Sequence, residues 1–398
     1  MSSKYHENNY RDSLVPLPNA PCNFTGTLVE GQPPLYLGLF VDDFIYFSAS
    51  DTVEKKFKEL FSAKYSISWD DEVNHFLGIK FTNIRHADGH LDVYLTQEAD
   101  IEELLLKTGL HLPQTLAATT PYRSGLPVDS IPHETLTDDE RRKLNHLLQE
   151  LVGSLQWISC QTRPDIATIT NMLSKYNNNC SHGHIDAAKY AARYLKGTKT
   201  KGLKFSSRSN PQLESFVQFP ISPNHLTGIT DSNWGPQDQR VPLPSEPVET
   251  LDLFKSRSVA GFVIFLGGPI AWMSKRQTFT ARSSAEAEIG SVDECTKVIQ
   301  QLRNIFIDLN LYDTFFTKPI PIYNDNAATV QWSHNMSTKG LRYIQIRENA
   351  VREQVQSGLI DVRHIEGKRN PTDIMTKEDR DVGHFCECSS MLVVPLPE

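Results

Sequence analysis

Residues 226–235, LTGITDSNWG, open on a short apolar run and close on a polar one, the pattern of a strand (226–230) that delivers Asp231 at its end. Reading outward, residues 259–266 (VAGFVIFL) and 270–274 (IAWMS) are rich in β-branched and aromatic side chains. Gly267-Gly268-Pro269 between them supplies a turn, so they read as two further strands. Ser283 or Ser284 caps a helix reaching about residue 309. A strand at 320–324, helices at 327–332 and 343–355, a strand at 359–365 and a short helix starting at 371–376 follow. The order β-β-β-α-β-α-α-β-α predicts a mixed β-sheet flanked by helices.

Carboxylates stand at the edges of these elements. Asp231 ends the first strand, Glu286 lies in the first turn of the long helix inside SSAEAE, Asp325 follows the strand 320–324, and Asp373 lies in NPTDIMTK. Singly, each has an ordinary explanation: acids complement helix N-termini and solubilise loops. Together they are what a two-ion centre requires, because divalent ions that run phosphoryl transfer take hard oxygen ligands converging from several elements. Glu288 rivals Glu286, since both cannot point at the same ions.

Upstream, residues 35–48 (LYLGLFVDDFIYFS) read as a β-hairpin with Asp42 and Asp43 at its tip. A second hairpin pairs residues 75–82 with 90–95 across Ala87-Asp88-Gly89. Helices then take over. Thr96 is the expected N-cap of a helix to about Thr108, before Gly109. Residues 113–132 read as a linker. Thr137 and Glu140 form a capping box opening an amphipathic helix through Leu144, Leu147, Leu148, Leu151 and Leu155. Further helices start at Pro164 and span about 185–195, and residues 210–223 form a weak region. The fold class is therefore α/β and α+β, divided as 1–95 (hairpins), 96–209 (helical), 224–378 (the mixed sheet) and 379–398 (a tail).

In composition, 39 % hydrophobic and 22 % charged residues describe an ordinary globular protein. The net charge of −8 does not advertise nucleic-acid binding, although a binding track needs only one basic face. The densest basic run is Arg193, Lys196, Lys199, Lys201, Lys204 and Arg208, with Lys339, Arg342, Arg347 and Arg352 a weaker set. Either suits phosphate contacts or solvated charge. Trp234 and Trp272 read as core. Six cysteines without a framework spacing are expected reduced, and His384, Cys386 and Cys388 lack zinc-site spacing. No apolar run approaches membrane-spanning length, so no membrane partner is expected.

The strings TDSNWG, SRSVAGFVIFLGGPIAWMSKRQ, ARSSAEAEIGSVDECTKVIQQLRNI, YNDNAATV and NPTDIMTK resemble the ribonuclease H domain of copia-type long-terminal-repeat retrotransposon polyproteins. The resemblance continues upstream through FVDD (40–43), FLGIKF, LTQEADIEELLLKTGL, LVGSLQWISCQTRPDIATITNMLSKY and HIDAAKYAARYLKGTKTKGLKF, in the family's order. It implies that 1–95 is the end of a reverse-transcriptase palm, that 96–209 is a helical thumb and connection, and that 224–378 is the ribonuclease H domain. It further implies two Mg²⁺ (or Mn²⁺) ions on Asp231, Glu286, Asp325 and Asp373, an RNA–DNA hybrid as substrate, and metal ligation by Asp42 and Asp43. The rest of a retroelement polyprotein is an expected partner, and the location is cytoplasmic, within a virus-like particle, or nuclear. Two departures qualify this. The third polymerase aspartate has no counterpart in the short stretch before Asp42, so DNA synthesis by this chain alone is not expected. The proline-rich segment 236–247 lengthens the loop beside Asp231.

Overall fold

The computed structural model describes residues 14–70, 72–122, 136–234, 257–335, 345–377 and 381–397. The proline-rich 236–247 loop, the second half of the 113–132 linker, Lys339 and Arg342 lie outside them. Two compact units result, one of residues 1–81 with 299–317 and the other of 82–298 with 318–398.

In the first unit, strands β1 (Val15–Leu17), β2 (Ala20–Gly26), β3 (Leu35–Phe40) and β4 (Asp43–Ser48) form one antiparallel meander in that order. β3 and β4 make the expected hairpin, with Phe40 opposite Asp43 and only Val41 and Asp42 between them. Such tight turns demand positive φ, and Val41 adopts +54° despite its β-branch. Helix α1 (Asp51–Ser62) buries Val53 and Phe57 against Leu35 and Leu37. Phe44, Tyr46, Phe61 and Trp69 close round Phe57 in tilted and edge-on ring contacts. β5 (His75–Phe76) and the start of β6 (Ile79–Arg85) end this stretch.

The second unit resumes with β7 (Leu91–Thr96) and the helices α2 (Glu98–Thr108), α3 (Asp138–Gln161), α4 (Ala167–Ser174) and α5 (His182–Gly197). Thr137 caps α3 in the expected box with Glu140, and Leu148, Leu151 and Leu155 are buried while Leu147 is exposed. Thr96 belongs to β7 rather than capping α2; Gln97 holds the cap position, its side chain donating to Asp100 and accepting from Thr162 rather than capping a helix amide. After β8 (Lys201–Ser206) and α6 (Pro211–Val217) come β9 (Thr227–Asn233), β10 (Val259–Phe265) and β11 (Pro269–Arg276). Helix α7 (Ser284–Asp308) leads through α8 (Tyr312–Phe315) to β12 (Ile320–Asn324), α9 (Ala327–His334), α10 (Gln345–Gln356) and β13 (Ile360–His364).

The central sheet runs β11-β10-β9-β12-β13. Its first three strands are antiparallel, whereas β12 runs parallel to both β9 and β13. The expected mixed sheet is therefore present. Its apolar residues join the helices in one core, in which Ile101, Leu148, Ile158, Leu173 and Leu195 cluster with Ile229, Val263 and Phe265. A buried polar knot lies beside it. Arg163, fully buried, pairs with Asp165 and donates to the Thr198 carbonyl, while the Tyr194 hydroxyl donates to Asp165 at 2.6 Å.

The segment read as a tail is instead a helix, α11 (Val382–Leu392), followed by β14 (Val394–Pro395) beside β8. Asp381 caps it by accepting from the Gly383 and His384 amides, and Phe385, Cys388, Met391 and Leu392 join the core.

Candidate metal centre

Asp231 sits within β9, not at its end, opposite Gly261 of β10. That pairing needs the glycine. A Cβ at 261 would lie 2.6 Å from Thr376 Cγ2 and 2.7 Å from Met375 Cβ, so the turn carrying Asp373 closes directly over the strand. The Thr376 hydroxyl donates to Asp231 Oδ2, and the Ser291 hydroxyl of α7 donates to the Asp231 carbonyl at 2.7 Å.

Glu288 reaches the same point from α7. Its Oε1 accepts from the Ser232 amide at 3.2 Å and its Oε2 from the Asn324 side chain at 2.8 Å. Asp325 follows β12 directly. Oxygens of Asp231, Glu288 and Asp325 all lie within 4.8 Å of one another.

Glu286 is not in this group. Its Oε2 accepts from the Arg282 amide at 2.6 Å and its own amide donates to the Ser283 hydroxyl oxygen, so it caps the start of α7. Residues two apart on a helix project about 200° apart, and Glu288 is the member of the pair that faces the sheet. Asp373 lies beside the group through Lys377, whose ammonium is 2.6 Å from Asp373 Oδ1 and 3.3 Å from Asp231 Oδ1. His384 Nε2, from the helix that sequence reasoning left as a tail, is 3.1 Å from Asp373 Oδ2.

The electrostatics follow from crowding acids away from water. Burial pushes the Asp231 carboxyl up to about 6; Lys377 and Thr376 oppose the rise, while Asp373 and Asp325 add to it. Burial lifts Glu288 well above the usual carboxylate range, reinforced by Asp231. Asp325 is also raised, chiefly by burial. Three carboxyls held uphill of ionisation, all hard oxygen donors, form a cradle suited to a small divalent cation.

The other expected site residues are placed differently. Asp42 and Asp43 are exposed at the β3–β4 tip. Most of the basic run is engaged within the fold. Arg193 donates to the Leu116 carbonyl, Lys196 to those of Leu110 and Leu112, Lys199 pairs with Glu102, and Lys204 with Asp92. Arg208 pairs with Asp88, and Lys201 begins β8 opposite Pro395. In the weaker set, the Arg352 guanidinium stacks 3.9 Å over Trp332, and the Arg347 side chain lies outside the described residues. Trp272, read as core, is half-buried against it and donates to the Ser159 carbonyl, but Trp234 is exposed and ties the strand end to the Ala281 carbonyl.

Fold and site together define a mixed α/β protein with a carboxylate cluster on its central sheet, preceded by hairpins and a helical region. The chain is homologous to the Pol polyproteins of copia-type retrotransposons. It is 27 % identical over 353 residues to the retrovirus-related Pol polyprotein from transposon RE1 of Arabidopsis thaliana, covering 88 % of this chain and 21 % of that protein. The corresponding polyprotein from transposon TNT 1-94 of Nicotiana tabacum is 26 % identical over 359 residues, 90 % of this chain and 24 % of the relative. The Ty1-NL2 Gag-Pol polyprotein of Saccharomyces cerevisiae is 25 % identical over 354 residues, 85 % and 18 % of the two chains. The chain thus spans a quarter or less of the relatives it matches. No family model matches it. Among solved structures, LC11-RNase H1 isolated from compost aligns with a TM-score of 0.27 at 15 % identity, over 38 % of this chain and 93 % of that one. No helix among the described residues is long and apolar enough to cross a membrane.

Proposed function

We propose that the chain is a retroelement reverse-transcriptase/ribonuclease H segment whose carboxylate centre hydrolyses the RNA strand of RNA–DNA hybrids. The convergence of Asp231, Glu288 and Asp325 within 4.8 Å carries this reading, with Asp373 beside them. These residues would hold two Mg²⁺ or Mn²⁺ ions. Bound there, the ions would activate the attacking water and stabilise the leaving oxygen.

The protein's own part is positional. Ser232 N–H and the Asn324 amide hold Glu288, and Thr376 holds Asp231, so the oxygens are aimed before any ion arrives. Lys377 offsets part of the acidic charge through Asp231 and Asp373. Asp42 and Asp43 are the polymerase remnant in this reading, and DNA synthesis is not assigned to the chain alone.

A second reading, a catalytically dead remnant that at most binds nucleic acid, is favoured by one observation. Asp373 has one oxygen on Lys377 and the other on His384, so the site is partly neutralised without metal. Cleavage of a labelled hybrid by purified chain with Mg²⁺, Mn²⁺ or EDTA separates the two. Metal-dependent cutting, lost in Asp231→Asn and in Asp325→Asn, supports the nuclease. Cutting retained in both variants sinks the site, and no cutting by folded protein favours the remnant.

A further inference from the structure

The turn between β6 and β7 holds a second group of metal-ligating side chains, apart from the carboxylate centre. The His86 amide donates to the His90 carbonyl at 3.0 Å and the Gly89 amide to the His86 carbonyl at 2.9 Å, with Gly89 at φ +86°. The two histidines therefore face each other across the turn, their rings parallel within 7° and 3.7 Å apart. Alternation along the extended chain puts Asp92 on the same face as His90, opposite Ser206 of β8.

His86 Nε2 is 3.1 Å from Asp92 Oδ2, and one ligand atom from each of His86, His90 and Asp92 lies within 4.8 Å of the others. Two ligands on one tetrahedral zinc, bound at about 2.0–2.1 Å, stand about 3.3 Å apart. Two further features fit a metal. The Asp92 side chain is 4 % exposed, and its Oδ1 is buried. Asp88 Oδ1 lies 2.5 Å from His90 Nδ1, which makes that nitrogen the donor and leaves Nε2 as the lone-pair nitrogen. This is the carboxylate–histidine arrangement that orients metal-binding imidazoles. The facing cations are Lys204, 2.8 Å from Asp92 Oδ2, and Arg208, paired with Asp88. Lys204 thus shares Asp92 Oδ2 with His86, and Ser206 also hydrogen-bonds the carboxylate, so a bound ion would take the ammonium's place on Oδ2.

We propose that His86, His90 and Asp92 bind a late first-row divalent cation, Zn²⁺ above all, with Asp88 orienting His90. Two imidazoles and one carboxylate select such an ion over Mg²⁺, which prefers all-oxygen sites. The ion clamps the base of the turn and fastens the β6–β7 hairpin.

The test is Co²⁺ titration of the full chain, stripped of metal and kept in excess Mg²⁺ to occupy the carboxylate centre. The expected result is one equivalent of tetrahedral visible absorption, displaced by Zn²⁺, lost in His86→Ala and His90→Ala, and retained in Asp231→Asn. Asp88→Asn weakens binding by about 10–100-fold. His86→Gln, which keeps a hydrogen-bonding group beside Asp92, separates lost ligation from lost structure, with circular dichroism as the check on folding. Absence of the signal, its survival in both alanine variants, or its loss in Asp231→Asn overturns the proposal.

Discussion

Glu288 Oε2 accepts a hydrogen bond from the Asn324 amide at 2.8 Å, and Asn324 is fully buried at the end of β12. Asn324 also donates to Thr230 Oγ1 of β9, so one amide ties helix, strand and acid together. Glu288→Gln is therefore expected to abolish hybrid cleavage, whereas Glu286→Gln removes only a helix cap and leaves the rate within a few-fold. Asn324→Ala leaves the ligands in place but unaims Glu288, and costs about 10–100-fold in activity or metal affinity. Single-turnover cleavage of a labelled hybrid checks all three. A Glu286→Gln enzyme that is dead beside an active Glu288→Gln would reverse the assignment.

The choice between those two glutamates shows where the sequence stops being informative. The long helix was legible from its serine cap and apolar spacing, but which of two acids faces the sheet depends on helix phase, and a start uncertain by one residue rotates every side chain by about 100°. Asp231 was legible as a strand-borne acid, though β9 runs on past it to Asn233 because β10 pairs with it residue for residue. The strands β10, β11, β12 and β13 were readable from short β-branched runs between turns. Helix α11 was missed, although Asp381 before Phe385, Cys388, Met391 and Leu392 has a cap and helical spacing; its weak helix formers hid it. With it went His384, which reaches Asp373 only through tertiary packing. The basic run was visible, but its neighbours were not. Carbonyl and carboxylate partners come from segments up to 120 residues away, which no local pattern reports.

The raised carboxyls give the metal-free protein a pH dependence opposite to the usual one for aspartate. Asp231 titrates near 6 in the folded protein and about 3.9 unfolded. Between those values the native state binds more protons than the unfolded state, so its stability falls as pH rises through this window and stays reduced above it. A divalent ion binds the ionised form and relieves that cost. In EDTA, the melting temperature is expected to be higher at pH 5 than at pH 7.5. Added Mg²⁺ raises it more at pH 7.5, and Asp231→Asn flattens both effects. Equal Mg²⁺ shifts at the two pH values would contradict the charge assignment.

Arg163 and Asp165 form a fully buried ion pair, joined by the Tyr194 hydroxyl and the Thr198 carbonyl. Such a pair adds little net stability, but breaking it strands a charge. Arg163→Met leaves Asp165 without its counter-ion and is expected to cost about 3–5 kcal/mol. Replacing both, as Arg163→Met with Asp165→Leu, recovers much of that loss. Urea unfolding of the two variants measures the difference; equal losses would mean the pair acts through packing alone.

The basic run between residues 193 and 204 bears on how a hybrid is held. A side chain that neutralises a phosphate releases counterions and contributes about 0.9 to the slope of log K against log salt. Lys196 instead donates to the Leu110 and Leu112 carbonyls, and Lys199 pairs with Glu102, so neither charge faces outward unpaired. Lys196→Ala is expected to lower the melting temperature by loosening the segment after α2, while the salt slope of hybrid binding stays the same. A slope reduced by about one per substitution, at unchanged stability, would return these lysines to the nucleic-acid track. The measurement is hybrid binding by fluorescence anisotropy across a salt series, with melting curves on the same samples. Because the lysine's carbonyl partners lie in its own helical region, a structural role predicts loss of thermal stability first, and loss of affinity only where that region unfolds.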